Sequence, residues 1–418
     1  MTPVIDKFQS LLSPDQVVPW SSLNDARFET SNNELSVVLP ESIEQLSAVV
    51  RTCYDQRWRM LACGQRTKLH WGCQHQLAVD VVISTARLNR LVDHWVDDFT
   101  TRVEAGIGIA DLQTKLQTQG QFWPVDPLYA QQASVAGIVA TADGGGLRQR
   151  YGSVRDTVIG VQFVRYDGEV VKAGGRVVKN VAGYDLMKLM TGAYGTLGIL
   201  SQLNLRLYPI AAQSQTMVLS GSAEAIAEAA LQTRHQGITA SAMDWVATEN
   251  GIQLAGRFQG IAAGVNEQIE RFQAIATAAG LTHKVADDTS YWSSLAGQLA
   301  NPNMILCKVG LLPTQLVPLL QRLNPFPTWL ARLHNASGLG LIALPVDGGA
   351  DMATTDALSM LRSHCNSHKG YLTILQAPAS MSLEPWGYSG NALPMMKAIK
   401  QQFDPHGLFS PGRFIEGL

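Results

Sequence analysis

No uncharged apolar run in this chain approaches the roughly eighteen residues that a membrane-spanning helix needs, so no segment is expected to cross a bilayer. Charge of one sign is also missing: 32 Lys+Arg against 34 Asp+Glu leave a formal charge of -2, and nucleic acid is not an expected partner. Cysteine is scarce. The five present (Cys53, Cys63, Cys73, Cys307 and Cys365) fall at no disulfide-framework or zinc spacing, and no C-x-x-C-x-x-C run could ligate an iron–sulfur cluster. The opening segment, "MTPVIDKFQSLLSPDQ", lacks the basic and long apolar stretches of a secretory signal, so the expected location is the cytoplasm. Both common nucleotide loops are absent too. "GIGIADL" has Asp111 where the last glycine of G-x-G-x-x-G would stand, and no G-x-x-x-x-G-K-[ST] occurs.

What remains is a long globular chain. At 418 residues, 46% hydrophobic and 16% charged, it exceeds one ordinary core, and two domains, or one domain with a large insertion, are expected. The order of elements mixes α and β. "SVVLP" reads as a strand, and "ESIEQLSAVVRTCYDQR" as a helix that starts with Ser42 as N-cap and Gln45 three residues on; its apolar face holds Ile43, Leu46, Val49, Val50 and Cys53. "RMLAC" and "LAVDVVI" read as strands, and a helix with Leu112 and Leu116 follows "TRVEAG". In "VIGVQFVRYDGEVVKA" two apolar runs flank Asp167-Gly168, which predicts a hairpin. Beyond about Ala211 an alanine-rich helix, strands and a further helix suggest a separate α+β unit. The last thirty or so residues predict one helix and a tail punctuated by proline and glycine.

Glycine is concentrated between Gly137 and Gly198. A glycine-dense region of little net charge suits a large ligand held by main-chain groups. The stretch "CGQRTKLHWG" leaves a strand and turns at once, so Gly64, Gln65, Arg66, Thr67 and Lys68 present a run of N–H donors fit for a diphosphate, with two cations beside them.

With these residues in view, the region from about Pro40 to Pro209 resembles the FAD-binding domain of the vanillyl-alcohol oxidase and p-cresol methylhydroxylase superfamily. The resemblance is carried by "CGQRTKLHWG", "PVDPLYAQQASVAGIVAT", "RYGSVRD" and "GAYGTLGI". Within that superfamily, "KNVAGYD" and the closing "FDPHGLFSPGRF" are most similar to the glycolate oxidase and D-lactate dehydrogenase group, and to its smaller FAD-binding subunit, although Ser410 stands where asparagine is usual. The resemblance implies FAD as cofactor and an α+β architecture. Residues 1–210 would form a two-lobed FAD-binding domain, 211–384 an α+β cap, and 385–418 a tail returning to the first domain. It also implies a larger catalytic FAD subunit and an iron–sulfur subunit as partners, and a small 2-hydroxy acid, glycolate or D-lactate, as substrate. By the same likeness, Pro127, Ser134, Gly137, Gly144, Gly145 and Gly152 would contact flavin, ribityl or diphosphate atoms. Asn180, Gly183, Asp185, Gly198 and Ile199 would lie along the isoalloxazine or adenine end.

The catalytic pattern departs from the resemblance. Catalytic subunits of the group carry a late G-E-H-G element, and this chain has none. A 2-hydroxy acid needs a cation for its carboxylate and a base for its hydroxyl, and Arg257, Arg332 and His334 are the candidates. His364 and His368, four apart, have no glutamate placed as in H-E-x-x-H and are expected at a solvated helix end; no metal is expected. Two roles stay open: a subunit that oxidises substrate, or one that holds FAD for a partner. A stand-alone D-2-hydroxy acid dehydrogenase is the further alternative.

Overall fold

The computed structural model describes residues 3–23, 35–72, 78–177, 183–346, 352–378, 380–381 and 383–418, so Cys73 and Asn180 lie outside the described residues. The chain divides into two compact units. One comprises 1–143, 153–209 and 390–418, and the other 144–152 and 210–389. Nine residues, 144–152, group with the second unit, and the segment from Gly390 onward groups with the first.

The strands of the first unit are β1 (Val17–Pro19), β2 (Ser36–Val38), β3 (Met60–Cys63), β4 (Val81–Ser84), β5 (Leu91–Trp95), β6 (Thr100–Glu104), β7 (Gln121–Phe122), β8 (Val158–Val164), β9 (Val170–Gly174), β10 (Ile199–Arg206) and β11 (Tyr208–Pro209). They form a four-stranded sheet, order β1-β2-β4-β3, and a five-stranded antiparallel sheet, order β5-β6-β10-β8-β9; β7 and β11 pair separately. β2, β4 and β3 run parallel, with the helix Ile43–Gln56 as the crossover between β2 and β3. That helix forms as expected. The Ser42 side chain accepts from the Gln45 N–H at 3.2 Å, while the Gln45 carboxamide oxygen accepts from the Glu41 N–H at 2.8 Å instead of from Ser42. Leu46, Val49, Val50 and Cys53 are its buried stripe and pack with Met60, Val81 and Ile83. The hairpin forms about Asp167-Gly168, with Val164 opposite Val170.

The tail completes the first sheet. Phe409 bridges Met60 in parallel at the open edge of β3, where the Ser410 N–H donates to the Met60 carbonyl at 2.7 Å. Asp404 is the buried anchor. Its carboxylate accepts from the N–H groups of Leu408 (2.9 Å) and Phe409 (2.7 Å) and from Lys400 Nζ (2.7 Å). Lys400 also donates to the carbonyls of Thr196 and Phe409. Burial outweighs its carboxylate partner and pushes the Lys400 ammonium below the usual lysine range.

The second unit is built on one antiparallel eight-stranded sheet: β12 (Gln213–Gly221), β13 (Ala242–Thr248), β14 (Gly251–Gly260), β15 (Thr282–Ala286), β16 (Met304–Gly310), β17 (Leu330–His334), β18 (Leu339–Pro345) and β19 (Tyr371–Gln376). Its order is β15-β12-β14-β13-β17-β18-β16-β19. The helices Ala223–His235 and Ala262–Ala278 pack on β12 and β14 through Ile226, Ala229, Ile269 and Phe272. The expected solvated end for His364 is not found. His364 is buried at the end of the helix Met352–Ser367, its ring centroid 4.4 Å from that of His368. Burial first, then the charge of Arg322, holds it below the ordinary histidine value.

Asp404→Ala would leave the buried Lys400 without its counter-ion and the N–H groups of Leu408 and Phe409 without their acceptor. The expected cost is about 3 kcal/mol or more, read as a lower urea midpoint at unchanged m.

Candidate functional site

Where β3 ends, the chain has no room to continue straight. A Cβ on Gly64 would lie 2.0 Å from Ser134 Oγ, so only glycine lets this turn touch the start of the helix Val135–Thr141. Ser134 caps that helix, accepting from the Gly137 N–H at 3.3 Å, while the N–H groups of Val135 and Ala136 donate to the carbonyls of Ile107 and Ala105. The turn and the helix start are thereby fixed together. Arg66 then takes a left-handed conformation, φ 62°, which reverses the loop.

Main-chain N–H groups in a folded protein nearly always have an acceptor. Those of Gly64, Gln65, Thr67 and Lys68 donate to no carbonyl or side chain among the described residues. They stand at a cavity with about 750 Å³ of empty space, its solvent mouth included. Small side chains, Ala62, Ala136, Ala140 and Ala193, leave the room, and Met190, Ile199 and Leu200 make its apolar wall.

Of the loop's two cations, Arg66 lines the cavity and Lys68 is paired within the fold. Lys68 Nζ pairs with Asp143 at 2.9 Å with both side chains buried, and Asp143 also accepts from the Leu128 N–H. The Lys68 charge is spent inside the fold. Besides Arg66, a further cation lines the cavity: Arg413, from the tail, buried to 4% exposure and donating to the carbonyls of Lys68 and Leu69.

Of the residues singled out in the sequence, Gly64, Gln65, Arg66, Thr67, Lys68, Ser134, Gly137, Gly198 and Ile199 all line this cavity. Others do not. Pro127 is buried outside the lining, and Gly183 and Asp185 are exposed, Asp185 pairing with Lys188 at 2.7 Å. Gly144, Gly145 and Gly152 belong to the second unit. The sequence reading passed over Thr85, Tyr194 and Arg413; only the last left a signal, as the cation of "SPGR".

The second unit carries its own charged cluster. Asp244 on β13 is fully buried, and Arg332 and His334 on β17 both reach it: Arg332 Nε donates to Oδ2 at 2.7 Å, and His334 Nδ1 lies 2.7 Å from Oδ1. β13 and β17 put Asp244 opposite His334 in register. Burial acts to raise the Asp244 carboxyl, but the charges of His334 and Arg332 outweigh it and hold the group down at about 2. Arg332 also lies over the Trp292 ring, 5.1 Å from its centroid. The segment 144–152 passes directly over the pair, because a Cβ on Gly146 would lie 2.7 Å from Asp244 Oδ2 and 2.9 Å from Arg332 Nη2. With Nδ1 donating to the carboxylate, the remaining nitrogen, Nε2, bonds to no group among the described residues. A carboxylate-oriented imidazole of this kind is suited to accept a proton. Arg257, by contrast, is taken up by Asp288 at 2.5 Å, which Ser214 and Thr216 also bond. Among the described residues no group of three metal-ligating side chains occurs, and no helix is long and apolar enough to cross a membrane.

Residues 35–174 match the family of FAD binding domains. The chain is 35% identical over 211 residues to the mitochondrial D-lactate dehydrogenase [cytochrome] of Arabidopsis thaliana, covering 50% of this chain and 36% of that protein. It is 35% identical over 120 residues to glycolate oxidase subunit GlcE of Escherichia coli, covering 28% of this chain and 34% of that one. The match thus spans less than half the length of either curated relative. Among solved structures, p-cresol methylhydroxylase superposes with a TM-score of 0.75 over 98% of this chain and 96% of that one, at 14% identity, so the fold is shared. The cofactor is FAD, and the cavity suits it: unsatisfied main-chain donors and a buried guanidinium for a diphosphate, small and apolar walls for flat rings.

Gly64→Ala is expected to push the loop off Ser134 and abolish measurable FAD binding, checked by flavin content of the purified variant. Asp244 predicts an acid limb. Because its folded-state value lies below the ordinary 3.8, its contribution, roughly 2 kcal/mol, is fully present above about pH 4 and lost as pH falls through about 2. Acid titration of Asp244→Asn should lack that increment.

Proposed function

We propose that this chain, whose residues 35–174 match the family of FAD binding domains, is the FAD-binding subunit of a 2-hydroxy acid dehydrogenase or oxidase complex. Glycolate is the proposed substrate, with D-lactate as its near analogue. The likeness to glycolate oxidase subunit GlcE and to D-lactate dehydrogenase supports this reading. The observation that carries it is the Asp244–His334 pair, which gives the second unit an oriented proton acceptor although the chain has no G-E-H-G element.

In the proposed reaction, Gly64 to Lys68 hold the cofactor's diphosphate by their N–H groups, and the apolar wall excludes water from it. Bound FAD would supply the two-electron acceptor, for the Cα hydrogen as hydride, that oxidation of a 2-hydroxy acid to the 2-oxo acid requires. His334 Nε2 takes the hydroxyl proton, and Asp244, itself paired with Arg332, keeps the imidazole in the tautomer that can do so. The complex works in the cytoplasm, and electrons pass to a larger FAD subunit and an iron–sulfur subunit, since this chain has no cluster motif of its own.

A second reading, a subunit that holds FAD while a partner oxidises the acid, is favoured by the missing G-E-H-G element and by the absence of a metal-ligating group among the described residues.

Anaerobic addition of glycolate or D-lactate to the purified chain separates the two. Bleaching of the visible flavin band, slowed about a hundredfold or more in His334→Gln, is the expected result. A band that bleaches only after a partner subunit is added would reject oxidation by this chain and leave the accessory role.

A further inference from the structure

Arg413 stands out among the cations of the first unit. Its side chain is 4% exposed, its donors Nη1 and Nη2 reach the carbonyls of Leu69 and Lys68, and its Nε is buried with no acceptor among the described residues. No carboxylate pairs with it among those residues. A buried cation without a counter-ion is costly, and burial holds this guanidinium down at about 10, with Tyr194 and Cys63 acting weakly the other way. It still carries its charge at neutral pH.

The position of that charge has a chemical reading. Arg413 lines the same cavity as Gly64 to Lys68, and it grips the loop on the carbonyl side while the loop's N–H groups stand at the cavity. The obvious phosphate-binding cation of the loop, Lys68, is already neutralised by Asp143. An anion in the cavity therefore finds donors from the loop and, besides Arg66 of the loop itself, a buried charge from the tail, about 345 residues away in sequence.

We infer that Arg413 is an anion ligand of the cofactor site, supplying a buried positive charge toward the FAD diphosphate, and that the C-terminal tail is thereby part of the site rather than a structural strap. The inference rests on FAD occupying this cavity. A guanidinium is suited to the task because it is a fork of donors that can hold loop carbonyls and a phosphate oxygen at once.

Two variants separate charge from packing. Arg413→Lys keeps the charge and gives up the fork, whereas Arg413→Gln keeps a neutral donor for the loop carbonyls and gives up the charge. The apoprotein of each full-length chain is titrated with FAD at low and high salt, and its melting temperature is recorded with and without FAD. The expected result is that Arg413→Gln weakens FAD binding about ten- to a hundredfold and flattens its salt dependence, while Arg413→Lys stays within about fivefold of the parent. Equal losses in the two variants, accompanied by equal falls in apoprotein melting temperature, would mean that Arg413 only braces the loop and would overturn the inference. So would unchanged affinity in Arg413→Gln. Failure of the parent chain itself to bind FAD would instead overturn the cofactor assignment on which the inference rests.

Discussion

A main-chain N–H group that faces a cavity must find an acceptor, and the first unit is arranged around four that find none among the described residues. Their exposure to the cavity follows from a single close approach. Gly64 lies against Ser134, so the chain leaving β3 cannot run on beside β4 and has to curl, with Arg66 in a left-handed conformation making the reversal. The carbonyls behind the loop are held by Arg413, whose own position depends on Asp404, Lys400 and the bridge of Phe409 to Met60. Parallel sheet, loop and tail are thus one mechanical assembly, and its outcome is a cavity with amide donors on one side and small side chains on the others.

The second unit solves a different electrostatic problem. A carboxylate in the middle of an antiparallel sheet is tolerated because the neighbouring strand brings two basic side chains to it, one on each oxygen. That pairing has a chemical by-product, since an imidazole fixed through Nδ1 has its other nitrogen oriented. The same cluster explains why 144–152 leaves the first unit: Gly146 admits the main chain to within contact of Asp244 and Arg332, and no larger residue would.

Much of this was legible in the sequence because it is local. Helix 43–56 announces itself by its cap and its stripe, the hairpin by Asp167-Gly168, and the cavity-lining loop by a glycine placed at the end of an apolar run. The parts that were not legible depend on distant partners. That Lys68 would be silenced by Asp143, that Arg413 would replace it, and that Arg332 and His334 would share a carboxylate on another strand are facts of tertiary packing. Burial of His364 belongs to the same class: a polar residue near a helix end reads as solvated until the sheet beside it is known.

The central claim, that the loop from Gly64 to Lys68 holds the FAD diphosphate through its main chain, is tested most directly by hydrogen exchange of those amides. With FAD added, the exchange of Gly64, Gln65, Thr67 and Lys68 should slow by about the factor that ligand binding contributes to stability, while exposed amides elsewhere stay unchanged. Tight FAD binding with these amides exchanging as fast as before would contradict the account.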